Sequence, residues 1–317
     1  KPTLMRPVDN WPKRPAMGVC GNQNQGVKTM KRDIYTEVTA KLIAKLEQGV
    51  PAWRKSWNAV SISGLPTRAS GDAYKGVNVL ILACEGRGNR HWMTFKQAAE
   101  HGGNVRKGEK STAIVFYKRL TVEDRAKSDG STKSIPMLRT YNVFNAEQVD
   151  GLPAKFYATD KPLVSDNERD AAVEAYVANT GAVIDHGGDK AFYTPGFDRI
   201  QMPKLEAFTD SAAYYGTLLH ELTHWTGNAK REDRTFGKRF GDDAYAVEEL
   251  VAEIGATFVC AALGVEQEVR DDHAAYLAGW LKILKADNKA IFQAAAKAQA
   301  AVNFLDGLQI QEEALAA

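Results

Sequence analysis

The amino-acid sequence predicts an α+β protein of two domains, and two observations support this prediction. Charge is divided unevenly: residues 31–150 hold twenty Lys/Arg and twelve Asp/Glu, whereas residues 151–317 hold sixteen and twenty-six. The second half also carries the motif HELTH at residues 220–224, within a stretch of helical spacing. We therefore expect a flexible leader at 1–30, a basic domain at 31–150, and a metal-binding domain with a short antiparallel sheet at 151–317.

Composition excludes several classes of protein. Cys20, Cys84 and Cys260 lie far apart without a C-x-x-C pair, which indicates a reducing compartment and no cysteine zinc site. No stretch approaches the roughly 18 uncharged apolar residues of a membrane span. The first residues are polar and proline-rich, unlike a secretory signal. We expect a cytoplasmic protein with no membrane partner.

The first half predicts three helices and a pair of strands. Apolar residues recur on one face over 33–48, which is typical of an amphipathic helix. Shorter helices are expected over 78–84 and 94–100. The β-rich segments 112–120 and 135–144 predict two paired strands.

The second half predicts a small sheet followed by long helices. Thr209 or Asp210 is expected to cap the helix that carries the HELTH motif, and Gly227 to end it. In chain order we expect a helix over 167–179, strands over 182–185, 191–194 and 198–202, and helices over 211–225, 244–264 and 267–296.

The H-E-x-x-H motif is the sharpest chemical signal. Its spacing puts His220 and His224 on one helix face, one turn apart, so both imidazoles can hold one Zn²⁺ or another divalent transition metal such as Mn²⁺. Glu221 then lies beside the cation, where a carboxylate can act as general base. The alternative is that both histidines are ordinary core residues.

A second acidic helix offers the third ligand. We assign Glu249 as metal ligand and Glu253 as the carboxylate that orients a ligating histidine, with Glu248 pointing outward. The reverse assignment of Glu249 and Glu253 stays open. Glu253 lies inside an apolar run, which argues against a solvent-facing role.

Hydrolysis needs further groups. An edge strand aligns an extended substrate, and residues 198–202 are the candidate because the segment is short and followed by Pro203. An electrophile beside the metal stabilises an oxyanion. The candidate phenols are Tyr193, Tyr214, Tyr215 and Tyr245.

The basic half interleaves basic and aromatic residues, which is typical of proteins that bind single-stranded DNA, because phosphates need cations and unstacked bases need aromatic faces. Trp57 or Trp92 alone is more often a core residue. No motif for reading duplex sequence occurs. The predicted DNA contacts are Trp53, Arg54, Lys55, Trp57, Arg90, Trp92, Arg106, Lys107, Lys110, Lys118 and Arg119, with Phe116, Tyr117 and Tyr141 nearby.

Eight stretches resemble the ArdC family of antirestriction proteins. The run HELTHWTG and its companion EELVAE are specific, and the others occur in the expected order. The matching stretches are RDIY at 32–35, PAW at 51–53, YKGVN at 74–78, WMTF at 92–95, VFN at 143–145, and residues 192–200, 214–227 and 248–255.

This resemblance implies a single-stranded-DNA-binding domain fused to a zincin-like domain similar to the Spartan/SprT metalloproteases. It implies a protein of conjugative plasmids that protects incoming DNA from host restriction. His220, His224 and Glu249 would hold the metal, and Glu221 would be the catalytic-type glutamate. Asn228 departs from the histidine expected in many relatives, which puts an accessory ligand there in doubt.

Three functions are compatible with these patterns. The favoured one is an antirestriction protein that binds single-stranded DNA and whose metal site is structural or weakly hydrolytic. The alternative is a DNA-dependent zinc metallopeptidase that cleaves restriction enzymes or DNA-bound proteins. A metal-dependent nuclease is disfavoured, because nuclease sites gather several carboxylates around hard cations.

Overall fold

The computed structural model describes residues 33–48, 64–123, 132–157, 166–236, 243–265 and 273–309. These residues all belong to one compact unit. None of the helices within them is long and apolar enough to cross a membrane. In chain order the elements are α1 (Ile34–Leu46), β1 (Thr67–Arg68), α2 (Val77–Ala83), β2 (His91–Met93), α3 (Phe95–Glu100), β3 (Asn104–Val105), β4 (Thr112–Glu123), β5 (Thr132–Asn145), β6 (Val149–Asp150), α4 (Asp166–Ala178), β7 (Val183–His186), β8 (Phe192–Thr194), β9 (Arg199–Met202), α5 (Ser211–Thr226), α6 (Asp243–Leu263), α7 (His273–Ala286) and α8 (Ala290–Gly307).

The first half is a four-stranded sheet, ordered β1-β2-β5-β4, with helices α1 to α3. The antiparallel pair β4–β5 and the three helices confirm the sequence predictions. Side-chain caps fix two helix starts. Asp33 accepts from Tyr35 N at 3.1 Å at the start of α1, and Thr94 forms a reciprocal capping box with Gln97 at the start of α3.

The second half contains a three-stranded sheet ordered β7-β9-β8. Two expectations are wrong here. The sheet is mixed, because β9 pairs in parallel with β7 and antiparallel with β8. The segment expected as an edge strand, 198–202, supplies the central strand. Gly187 and Gly188 have φ of 144° and 69°, so the chain leaves β7 by a turn that few other residues adopt, and Gly187 N donates to Met202 O at 2.9 Å.

The long helices start and stop at local signals. Asp210, rather than Thr209, caps α5, since its carboxylate accepts from Ala213 N at 2.7 Å. The single helix expected over 267–296 is wrong: α7 and α8 are separate. Asp287 Oδ1 accepts from Lys289 N at 2.8 Å, a local turn that competes with helix.

One hydrophobic core joins the two halves. Leu42 of α1 and Leu80 of α2 belong to the same buried cluster as Trp280 of α7 and Ile291 of α8. Two long-range hydrogen bonds accompany this packing: Thr39 Oγ1 donates to Asn288 O at 2.7 Å, and Gly76 N donates to Gln299 Oε1 at 2.9 Å. The last helices of the chain therefore pack directly against the N-terminal part.

Candidate metal centre and nucleic-acid groove

Helices α5 and α6 bring three predicted ligands together. His220 and His224 lie one turn apart on α5, and Glu249 lies on α6; all three are buried. Glu249 Oε2 is 3.4 Å from His220 Nε2, and Glu249 Oε1 is 3.5 Å from His224 Nε2. One donor atom from each residue lies within 4.8 Å of the other two. The cluster has the donor set of a zinc or manganese site.

Close packing of the two helices allows this convergence. Gly255 on α6 faces Thr223 on α5, and a Cβ at Gly255 would lie 2.5 Å from Thr223 Cγ2. Thr223 is fully buried and donates to Leu219 O at 2.8 Å, so it has little room to move. A larger residue at 255 would force the helices apart.

The spacing of the donors fits one ion. Ligands about 2.1 Å from a tetrahedral ion lie about 3.4 Å from one another. The two separations from Glu249 are 3.4 and 3.5 Å. Because these distances start from the two different oxygens of Glu249, small side-chain adjustments would bring one donor from each residue onto a shared cation.

In both histidines Nε2 faces Glu249, and Nδ1 faces a second carboxylate. His224 Nδ1 is 3.1 Å from Glu248 Oε1, within hydrogen-bonding distance. His220 Nδ1 is 3.9 Å from Glu253 Oε2, and it has no hydrogen-bond partner within the described part of the chain. Glu253 thus lies on the side of His220 where an orienting carboxylate belongs. The expectation that Glu248 points outward is wrong: only 4% of its surface is exposed.

Arg234 explains how Glu248 is buried. Its guanidinium donates to Glu248 Oε1 at 2.9 Å and to Oε2 at 3.0 Å. It also donates to Thr226 Oγ1 at 2.7 Å and to Thr223 O at 2.6 Å, at the end of α5. A buried charge needs such a partner. The sequence pattern did not reveal Arg234, because it lies in a loop outside any helical periodicity.

The cleft favours positive charge. Burial acts to lower the pKa of His224, but hydrogen bonds with Glu248 and Glu249 and the nearby carboxylates outweigh it and raise this pKa to about 10. Burial acts to raise the pKa of Glu249, but hydrogen bonds with His220 and His224 hold it well below its usual range. A site that stabilises a proton in this way also stabilises a cation.

The three candidate ligands His220, His224 and Glu249, together called the metal cluster here, lie in a cleft of 290 Å³. The lining of this cleft also includes Glu221 and Phe236. Strand β8 contributes Phe192 and Tyr193 to the lining of this cleft. Among the described strands β8 pairs with β9 alone, so it lies at an edge of this sheet. The edge strand expected at 198–202 is therefore supplied by β8.

The four candidate phenols separate into two groups. Tyr193 and Tyr245 line the cleft. Tyr214 instead shares a hydrogen bond of 2.8 Å with His186 Nε2, and Tyr215 donates to a carboxylate on α4 at 2.9 Å. Sequence reasoning missed Tyr276, which lines the cleft with its hydroxyl 3.3 Å from that of Tyr245.

Asn228 connects the loop after α5 to β8 by a hydrogen bond. Its Nδ2 donates to Tyr193 OH at 2.8 Å, and Tyr193 OH donates to Asp198 Oδ1 at 2.8 Å. Arg231 pairs with Asp198 and lies over the ring of Trp225, 3.8 Å from its centroid. At the position where the resemblance implied a histidine, this chain has an amide that ties the loop to β8.

A second cavity, of 890 Å³, lies between the N-terminal part and α8, and is called the groove here. Phe116 and Tyr141 contribute an edge-to-face pair with ring centroids 6.0 Å apart, and they are 46% and 43% exposed. Among the described residues, the groove lining includes no acid. It is lined by Tyr35, Arg68, Tyr74, Lys75, Val77, Asn78, Thr94, Gln97, Ile114, Val115, Phe116, Tyr117, Leu138, Tyr141, Val143, Lys289, Phe292, Gln293 and Ala296.

The basic residues predicted from sequence lie elsewhere. Trp92 is 2% exposed because β2 is covered within the sheet, so its prediction as a stacking residue is wrong. Arg106 is bonded to Asp150 at 3.1 Å and to Glu109 at 2.9 Å, so acids compensate its charge. Lys107 and Lys110 are exposed and Arg90 is half-buried. The groove lining contains none of these five residues.

Six other predicted contacts cannot be placed. Trp53, Arg54, Lys55 and Trp57 lie outside the described residues, and Lys118 and Arg119 belong to β4, with side chains outside the description. The groove cations that sequence reasoning missed are Arg68, Lys75 and Lys289. No local pattern joins them, because they come from three distant segments.

Comparisons with known proteins agree with both halves. Residues 32–144 match the family described as the N-terminal domain of anti-restriction factor ArdC, and residues 171–297 match the zincin-like metallopeptidase family. The chain is 42% identical to the antirestriction ArdC protein from the R388 plasmid in its metal-free crystal structure, with a TM-score of 0.75, covering 88% of this chain and 98% of that one. The chain belongs to the ArdC antirestriction family.

Other ArdC-like sequences extend the comparison. The Mn(II)-bound structure of the same R388 protein gives 41% identity and a TM-score of 0.73, over 89% of this chain and 100% of that one. Uncharacterized protein y4eC of Sinorhizobium fredii is 38% identical over 87% of this chain and 92% of its own length. DNA primase TraC of Escherichia coli is 38% identical over 85% of this chain, which spans only 19% of that protein.

Proposed function

We propose that this ArdC-family protein binds single-stranded DNA and thereby protects DNA that enters on a conjugative plasmid from host restriction. The groove is the observation that supports this proposal. It combines exposed aromatic rings with cations and, among its described lining residues, no acid. Unstacked bases bind aromatic faces and phosphates bind cations, so this combination suits a single strand. Similarity to proteins named DNA primase agrees with a DNA partner.

The first test removes two of the three exposed rings in the groove lining, those of Phe116 and Tyr141 and not that of Tyr117. Phe116→Ala with Tyr141→Ala is expected to weaken binding of a fluorescently labelled single strand by at least about tenfold, because base stacking contributes about 1–3 kcal/mol per base. Phe95→Ala is the matched control, since Phe95 is 63% exposed and lies outside the groove lining. Equal affinity of the double variant and the control would contradict the proposal.

The second part of the proposal is a divalent metal site formed by His220, His224 and Glu249. Glu253 and Glu248 would orient the two imidazoles from behind. The donor spacing fits one ion, and the related R388 protein has an Mn(II)-bound structure. Zn²⁺ or Mn²⁺ bound there would supply Lewis-acid chemistry, polarising a carbonyl and making water more acidic.

A DNA-dependent metallopeptidase is the second candidate, and the cleft is the observation that favours it. Glu221 lines the cleft beside the two histidines, where it is placed to accept a proton. The edge strand β8 can pair with an extended peptide, and Tyr245 can donate a hydrogen bond to a developing oxyanion. Glu221→Ala is expected to abolish plasmid protection in cells if cleavage matters. Full protection by this variant would leave only the DNA-binding role.

A further inference from the structure

The groove is not built from the N-terminal half alone. Lys289, immediately before α8, and Phe292, in the first turn of α8, both line it. The ring of Phe292 meets that of Tyr35 edge-on, with centroids 4.7 Å apart. Lys289 Nζ lies 5.5 Å from the centroid of Tyr35. These three residues form a unit that we call the helix patch.

The part of the groove lining formed by the strand pair β4–β5, together with Arg68 and Tyr74, is called the hairpin side here, and it has the same combination of aromatic rings and a cation. There Phe116 and Tyr141 form the other aromatic pair, and the Arg68 guanidinium lies 5.2 Å from the centroid of Tyr74. The groove thus has two aromatic pairs, and each has a cation in the same lining. A ligand that alternates flat rings with negative charges matches this repetition, as a nucleotide strand does.

Charge distinguishes a strand from an uncharged ligand. Arg68, Lys75 and Lys289 are exposed, and the described groove lining holds no carboxylate. A nearby acid is Asp33, which lies outside the lining and whose pKa is lowered by a side-chain hydrogen bond and in part by Lys289. Elsewhere in the same half, by contrast, Arg106 is paired with acids. Exposed cations around apolar rings attract a polyanion whose bases can leave water.

We propose that the helix patch is a second contact for single-stranded DNA, in which the Tyr35–Phe292 pair presents an aromatic face to a base and Lys289 holds a phosphate. This inference rests on the proposed DNA-binding function and extends its footprint to α8. α8 also packs against α5 and α6, the helices that carry His220, His224 and Glu249, so the part of the helix patch on α8 belongs to an element in direct contact with both.

The experiment uses the full chain and a labelled single strand over a range of salt concentrations. Lys289→Gln is expected to lower the magnitude of the slope of log K against log salt by about 0.7, the value of one phosphate contact on a single strand. Lys297→Gln is the matched control: Lys297 is exposed on the same helix but outside the groove lining. An unchanged slope for Lys289→Gln would overturn the proposal.

Phe292 is tested separately because it is half-buried. Phe292→Leu keeps an apolar side chain against the core but removes the flat ring, and is expected to weaken strand binding roughly tenfold. Circular dichroism and the melting temperature report whether the variant is folded. If it does not fold, the exposed Lys289 variant still decides the question.

The double variant at Phe116 and Tyr141 distinguishes a failure of this inference from a failure of the proposed function. Loss of binding in Phe116→Ala with Tyr141→Ala, but not in Lys289→Gln or Phe292→Leu, would keep the DNA-binding function and reject the helix patch. No loss in any of them would reject both. Equally tight binding of a single mononucleotide would also reject the helix patch as a strand contact, because one nucleotide cannot occupy two aromatic pairs.

Discussion

The metal cluster and the groove are built in opposite ways. His220, His224 and Glu249 come from two adjacent helices and are all buried, and their charges are balanced by one another and by Arg234 through Glu248. The groove draws residues from near both ends of the described chain and leaves its cations exposed. A metal site needs fixed donors in a protected cluster, whereas a groove for a strand needs accessible charge.

This difference predicts how each region responds to a single substitution. Removing one member of the buried cluster leaves the other charges without a partner, so the effect is large. Removing one groove cation subtracts only one of several independent contacts, so the effect is small. The predictions below test this contrast.

The largest effect is expected from Glu249→Ala. Loss of the ligand that faces both imidazoles should lower Zn²⁺ or Mn²⁺ affinity by at least about 100-fold, more than the loss of an orienting residue does. Isothermal titration of chelator-treated protein measures it. Glu206→Ala, at an exposed carboxylate, is the control. Unchanged metal affinity in Glu249→Ala would show that the cluster is not the site.

A smaller loss of metal affinity is expected from Arg234→Met. Without the guanidinium, the Glu248 carboxylate is buried beside His224 without its strongest partner, so we expect about 3–5 kcal/mol lower stability to urea. Metal affinity should fall by about 10- to 100-fold, because the Glu248 carboxylate that orients His224 is then no longer fixed in place.

A second substitution separates the two roles of Arg234. Adding Glu248→Gln removes the uncompensated charge and should restore much of the stability. Metal affinity should stay low, since the amide is a weaker acceptor for the His224 ring. Full recovery of metal affinity in the double variant would mean that Arg234 acts on stability alone.

The same contrast explains what the sequence could predict. An i, i+4 pair of histidines and a glutamate on the next long helix are local patterns, so His220, His224 and Glu249 could be placed together from spacing. Glu248 was misplaced because helical periodicity does not report a partner from a loop, here Arg234.

Only one side of the groove could be predicted in this way: Phe116 and Tyr141 lie on the predicted strand pair. The cations and the Tyr35–Phe292 pair come together only through tertiary packing, such as that of α8 against α2. Trp92 and Arg106 had the right residue types, but burial and ion pairs remove them from a DNA surface. Likewise, 198–202 has the length of an edge strand, but pairing on both sides makes it central.

The smallest effect compares two exposed lysines. Lys75 lines the groove, whereas Lys107, which was predicted from the sequence as a DNA contact, lies outside the lining. Lys75→Gln should weaken strand binding a few-fold at low salt and reduce the magnitude of the salt slope by about 0.7, while Lys107→Gln should change neither quantity. Fluorescence anisotropy at several salt concentrations measures both. A reversed result would place the strand along the outer basic loop and would reject the proposal that the groove binds it.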